Sequence, residues 1–111
     1  MSYIQEKNVR DETIQLLTEL LPVLRAILGI SQEEIAQYIG ISRQTYCALE
    51  LKKRQISWNT FLSLFLFFIS NEKTYELLKT KKGYIAQVYG MLQYESGEKS
   101  VQYPQGFENK Q

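Results

Sequence analysis

Histidine is absent from the sequence, Cys47 is its only cysteine, and it has only two prolines. Without histidine and with one thiol, no Cys/His zinc site, no Ser-His-Asp or Cys-His triad and no internal disulfide can be assembled. The chain is therefore not expected to be an enzyme, and no metal or cofactor is expected. A single thiol fits a reducing cytosol. The N-terminus carries acids and no uninterrupted apolar stretch, so it does not read as a signal peptide. Long hydrophobic runs are missing too. The most apolar segment, residues 61–69 (FLSLFLFFI), is less than half the roughly 20 residues a membrane span needs. It reads as a core helix, and the expected setting is the cytoplasm, with no membrane partner.

Net charge is also small, at +1, but it is unevenly spread. Residues 1–40 hold three bases and six acids, residues 41–82 eight bases and three acids, and residues 83–111 two bases and three acids. The positive charge lies on the middle of the chain, as an electrostatic footprint for phosphate would. A length of 111 residues suits one compact domain plus at most a tail.

What is present is helical. In residues 12–28, Leu17, Leu20, Leu21, Leu24, Ile27 and Leu28 recur at three- and four-residue steps. Pro22 removes a backbone donor there and is expected to kink the helix or start a new one, and Gly29 supplies a stop. Three helix starts then share one grammar. Ser31, Ser42 and Ser57 stand as N-caps, each preceded by an isoleucine (Ile30, Ile41, Ile56) placed to staple onto Ile35, Tyr46 or Phe61. Glu34 can complete a capping box with Ser31. These signals predict helices near 32–39, 43–51 and 58–69. Asn71 is placed to cap a further helix near 72–80, and residues 84–94 carry a helical stripe of Ile85, Val88, Tyr89 and Leu92, although their Tyr, Ile and Val also suit a strand. From Glu95 the chain is polar with Gly97, Pro104 and Gly106 and reads as a disordered tail.

Only Gly40, Ile41 and Ser42 separate the helices at 32–39 and 43–51. Ala36 allows close approach, Gly40 can take the left-handed conformation of a sharp turn, and Ile35, Ile39, Ile41, Tyr46 and Leu49 form the clamp. With Tyr46 and Leu49 inward, the second helix presents Arg43, Gln44, Cys47 and Ala48. Arginine pairs with guanine and glutamine with adenine in a major groove, and Ala48 suits a thymine methyl. Ser42 and Thr45 lie at the helix entry, where a hydroxyl reaches a phosphate or base edge. Gln32 opens the preceding helix, where amide and helix N-terminus can meet a phosphate. Lys52, Lys53 and Arg54 follow directly and suit the DNA backbone. Cys47 reads as a small side chain of the interface, and Trp58 as core.

The stretch SQEEIAQYIGISRQTYCALELKKR, within residues 23–69, resembles the lambda-repressor-like (Xre) family of helix-turn-helix regulators. That resemblance implies an all-α, five-helix DNA-binding domain, here with a C-terminal extension. It further implies double-stranded DNA as partner, a homodimer on a palindromic site, and an ion pair between Arg25 and Glu50. Leu51 stands where the family commonly has a glycine or asparagine, which leaves the recognition helix free to run on into Lys52 and Lys53. The expected layout is an N-terminal arm over 1–11, the DNA-binding domain over 12–82 and an extension over 83–111. A transcriptional regulator, most simply a repressor, is the leading reading. The rival is an interaction module, such as an antitoxin or adaptor, that binds a partner protein through residues 70–111.

Overall fold

In the computed structural model, which describes residues 3–94 and side chains from residue 7 onward, the chain is all-helical. Six helices follow in order: α1 (Tyr3–Leu28), α2 (Gln32–Ile39), α3 (Arg43–Glu50), α4 (Trp58–Ile69), α5 (Glu72–Lys79) and α6 (Tyr84–Met91). The disordered tail expected from Glu95 lies outside the described residues. Among the described residues, no single helix is long and apolar enough to cross a membrane.

α1 is the spine. Its 26 residues run about 39 Å at 1.5 Å per residue, and it lies against α3, α4, α5 and α6. Leu17, Leu21 and Leu24, on one helical stripe, are fully buried against Phe61, Leu64 and Phe68 of α4 and Leu78 of α5. Val88 of α6 closes the same core. Two expectations about this helix are corrected. Residues 3–11, expected as an arm, belong to α1, because nothing in YIQEKNVRDE breaks a helix and the stripe continues back to Ile14, which is buried. Pro22 does not start a new helix either: of the kink or new start expected there, the new start is excluded, since α1 runs through it. One lost hydrogen bond is outweighed by Leu21 and Leu24, whose burial holds the backbone on the core on both sides of the exposed proline.

The three serine starts all form. Ser31, Ser42 and Ser57 have extended backbones, and their hydroxyls accept from the N–H of Glu34, Thr45 and Thr60. At α2 the box is complete, with the Ser31 N–H donating to Glu34 Oε1 at 3.0 Å. The Ser31 bonds hold the Glu34 carboxyl below its ordinary pKa. Asn71 occupies the N-cap position of α5 without capping it, because its side-chain N–H turns back to the Phe67 carbonyl at 2.8 Å. Among the described residues, the buried threonines Thr13 and Thr74 are both satisfied: Thr13 donates to the Arg10 carbonyl and Thr74 to the Phe68 carbonyl.

Three successive helices end alike. Gly29 and Gly40 sit at φ 64° and 81°. The N–H groups of Gly29 and Ile30 reach back to Ala26 and Arg25, and those of Gly40 and Ile41 to Gln37 and Ala36. This is the paired bonding of a Schellman end. α3 makes the same pair of bonds, Lys52 to Leu49 and Lys53 to Ala48, at 3.1 and 2.9 Å. Its left-handed residue is Lys52, at φ 63°. The recognition helix therefore stops at Glu50 and does not run on into Lys52 and Lys53, since this closure satisfies its last carbonyls.

A side chain in the left-handed region costs about 1–2 kcal/mol, which glycine avoids. The one ion pair Lys52 makes, with Glu19 at 3.6 Å on the exposed surface, is worth at most about 1 kcal/mol. Lys52→Gly should therefore raise stability by about 0.5–1 kcal/mol, read as a thermal midpoint several degrees higher. An unchanged or lower midpoint shows that the turn holds no such strain.

Candidate nucleic-acid interface

α2 and α3 pack on each other and on α4 and α1 through Ile35, Ala36, Tyr46 and Leu49, all buried. That packing uses one face of α3 and leaves the other outward. Arg43 and Gln44 are exposed, and Cys47 and Ala48 are half-buried beside them. Together with Leu51 and Lys53 they border a shallow open depression of about 270 Å³. Leu51 is 63% exposed on this face, an apolar surface that its reading as a helix-end residue did not anticipate. At the entry to α3 the Ser42 hydroxyl donates to Thr45 Oγ1 at 2.8 Å while accepting the Thr45 N–H. The Thr45 hydroxyl, accepting from Ser42, still has a proton to donate.

Beneath this face lies a polar network centred on Glu50. The Arg25 guanidinium donates to both carboxylate oxygens, from Nε at 3.0 Å and Nη2 at 2.9 Å. Tyr46 donates its hydroxyl to Oε2 at 2.7 Å and Gln32 its amide to Oε1 at 3.2 Å. Arg25 Nη1 is taken up by the Ile30 carbonyl, and the Cys47 thiol donates to Gln32 Oε1 at 3.1 Å. The end of α1, the turn after it, the first residue of α2, and the middle and C-terminal end of α3 are thus tied together around one carboxylate. Burial pushes the Glu50 carboxyl up, but the bonds from Arg25 and Tyr46 outweigh it and hold the pKa below the ordinary value. The same carboxylate raises the Arg25 pKa, and burial raises that of Tyr46, with the bond to Glu50 adding to it.

The network changes the parts played by two residues. Gln32, read from the sequence as a phosphate contact, has its side chain committed to Glu50 and Cys47, so the group it offers outward is the backbone N–H at the start of α2. Cys47 both lines the depression and braces Gln32. Lys52, Lys53 and Arg54 are exposed immediately beyond α3. Sequence reasoning treated Tyr46 as an apolar clamp. The signal for its second role was its spacing, since a hydroxyl at position i lies over a carboxylate at i+4. It also missed Arg10, whose guanidinium carbon lies 5.0 Å from the centre of the Trp58 ring, and Tyr84, whose hydroxyl donates to the Thr13 carbonyl at 2.9 Å and fastens α6 to α1. No short-range pattern connects residues so far apart in the chain.

A short helix braced on its inner side and bare on its outer side, following a second helix across a tight glycine turn, defines a helix-turn-helix DNA-binding unit. Residues 24–64 match the family model described as helix-turn-helix. The match marks this segment as a helix-turn-helix of the lambda-repressor-like, Xre kind, and it supports a DNA-binding function of the transcription-regulator type in general. No curated protein and no solved structure matches the chain.

Glu50→Gln leaves Arg25 without its charge partner. Because Arg25 is about a quarter exposed, the loss should fall near the lower end for buried pairs, about 3 kcal/mol in urea unfolding at neutral pH. Folding lowers the Glu50 pKa, so its contribution is full above the unfolded carboxyl value of about 4.3 and disappears as pH falls through the lower folded value. The variant should lose that part of the acid sensitivity. Parallel stability curves for the two proteins between roughly pH 5 and pH 2 would remove Glu50 from the acid response.

Proposed function

We propose that this protein binds a palindromic DNA operator as a homodimer and represses transcription by occupying it. The observation that carries the reading is the outer face of α3, where an arginine and a glutamine stand exposed at the N-terminal end of a rigidly braced helix. Arg43 and Gln44 read base edges, Ala48 and Cys47 sit against the groove wall, and Ser42 and Thr45 meet the backbone at the helix entry. Lys52, Lys53 and Arg54 neutralise phosphates beyond it, and the start of α2 at Gln32 meets a phosphate on the other side. Repression needs no domain beyond one that covers a promoter, and a DNA partner fits a cytoplasmic setting.

Dimerisation is supported by apolar surface on the helices after Ser57: Leu66 is 58% exposed with Phe67 half-buried beside it, and Leu92 is 54% exposed. A two-fold dimer places two recognition helices in successive major grooves about 34 Å apart.

Selection from a randomised duplex pool at moderate salt, followed by sequencing of the bound fraction, tests the whole reading. An enriched palindrome with half-sites about one turn apart is expected, and binding without enrichment would remove sequence-specific regulation. Within a selected site, Arg43→Ala should weaken binding by about 1–3 kcal/mol and relax one base position, while affinity for random DNA stays unchanged. Equal loss on both DNAs would show that Arg43 contacts only phosphate. Lys53→Gln should instead weaken binding to all sequences alike and reduce the salt slope by about one.

A further inference from the structure

α1 begins some twenty residues before the segment that matches the helix-turn-helix family, and its N-terminal half lies along the chain that leaves the recognition helix. Lys7, Arg10 and Ile14 of α1 face Gln55, Ser57 and Trp58 across a cleft of about 480 Å³. A second cleft of about 360 Å³ shares Asp11, Ile14, Gln55 and Ile56 with the first and extends to Lys52, Lys53 and Arg54. The shared walls make the two one furrow, running from the end of α3 to Lys7. From Lys7 to Glu19, which lines its other end, α1 advances about 18 Å.

The lining is strongly cationic for a chain whose net charge is only +1. Lys7, Arg10, Lys52, Lys53 and Arg54 face two carboxylates, Asp11 and Glu19. Glu19 is already matched to Lys52 at 3.6 Å. Arg10 is held over the Trp58 ring, so its position is set before any ligand arrives while its N–H edge remains available. An open furrow with charges along its length suits an extended polyanion, whereas a small effector needs an enclosed, mostly apolar pocket.

We infer that the furrow between α1 and the segment after α3 is a second DNA-backbone site, in which Lys7 and Arg10 hold phosphates flanking the half-site read by α3. Continuity with Lys52, Lys53 and Arg54 identifies the polyanion: a strand lying against those residues continues along α1. At 3.4 Å per nucleotide along the duplex axis, 18 Å corresponds to about five nucleotides of one strand. The inference rests on the DNA-binding reading above and extends the contact beyond the helix-turn-helix unit.

The test is the salt dependence of binding to a selected duplex carrying long flanks, and to random duplex. Lys7→Gln should reduce the slope of log K against log salt by about 0.9, and Lys7→Gln with Arg10→Gln by about 1.8, equally on both DNAs. Arg10→Lys retains the charge and should keep the wild-type slope. Trp58, the only tryptophan, should change its emission when duplex is added to the wild type and less so in the double variant. An unchanged slope in a double variant that melts like the wild type would overturn the α1 site while leaving recognition by α3 in place. A wild-type protein that binds no duplex would bring down both.

Discussion

Glu50 closes the recognition helix with its carboxylate turned back toward α1, and the arrangement of the DNA-binding face follows from what that carboxylate receives. Two bonds come from Arg25, one from Tyr46 and one from Gln32, which fills its acceptor capacity with donors from three helices. An ion pair of this kind adds little stability relative to a well-packed apolar core, but removing one partner leaves an uncompensated charge. Its contribution is geometric. A bidentate arginine fork fixes both the position and the plane of the carboxylate, and since Glu50 and Tyr46 lie one turn apart on α3, the helix can neither roll nor slide without breaking the set. Arg43 and Gln44, just N-terminal to Tyr46, inherit that fixed orientation.

Around this centre the fold uses the same few devices repeatedly. A serine cap opens α2, α3 and α4, and a left-handed residue with paired backbone bonds closes α1, α2 and α3. The connections from α1 to α2 and from α2 to α3 have three residues each, and in both the isoleucine after the left-handed glycine immediately precedes the next serine. One apolar residue thereby anchors the end of one helix and the beginning of the next against the core. Connections so tight leave little freedom in the angle between helices, so side-chain packing and the Glu50 network refine a geometry the backbone has already narrowed. The aromatic residues of α4 and α6 then fill the remaining volume, with Trp58 stacked on Phe61 and Phe65 meeting Tyr84 edge-on.

The DNA-binding unit was legible because its signals are local. Caps, glycine stops and the three-to-four-residue apolar period all act within one or two turns, so Ser31, Gly40, Ser42, Ile35 and Leu49 announce both helices and the turn between them. Local rules failed where tertiary burial outweighs them. Pro22 is a strong interruption by propensity, yet it lies on the exposed side of a helix held by Leu21 and Leu24. Residues 3–11 carry no apolar stripe obvious enough to declare a helix, and continuation from Ile14 draws them into α1. Lys52 has a side chain poorly suited to a left-handed turn, and Leu51 has the wrong identity for a helix end, but the paired backbone bonds at 49–52 and 48–53 prevail.

What the sequence by itself determined is the set of elements and the chemistry on them: helices, residue types that cannot assemble a Cys/His zinc site or a histidine triad, and an arginine and a glutamine at the entrance of the second helix of a helix-turn-helix. These follow from residue types and short spacings, which the chain carries whatever its tertiary arrangement. Tertiary structure alone decided which polar groups remain free and which are consumed. It turned the Gln32 amide and the Cys47 thiol inward and gave Tyr46 a hydroxyl's role beside its apolar one. It also laid Lys7 and Arg10 alongside residues 55–58. Each brings together residues 4 to 51 positions apart (Tyr46 to Glu50 the nearest, Lys7 to Trp58 the farthest). All but the nearest are set by helix packing around a common core, which no local pattern encodes.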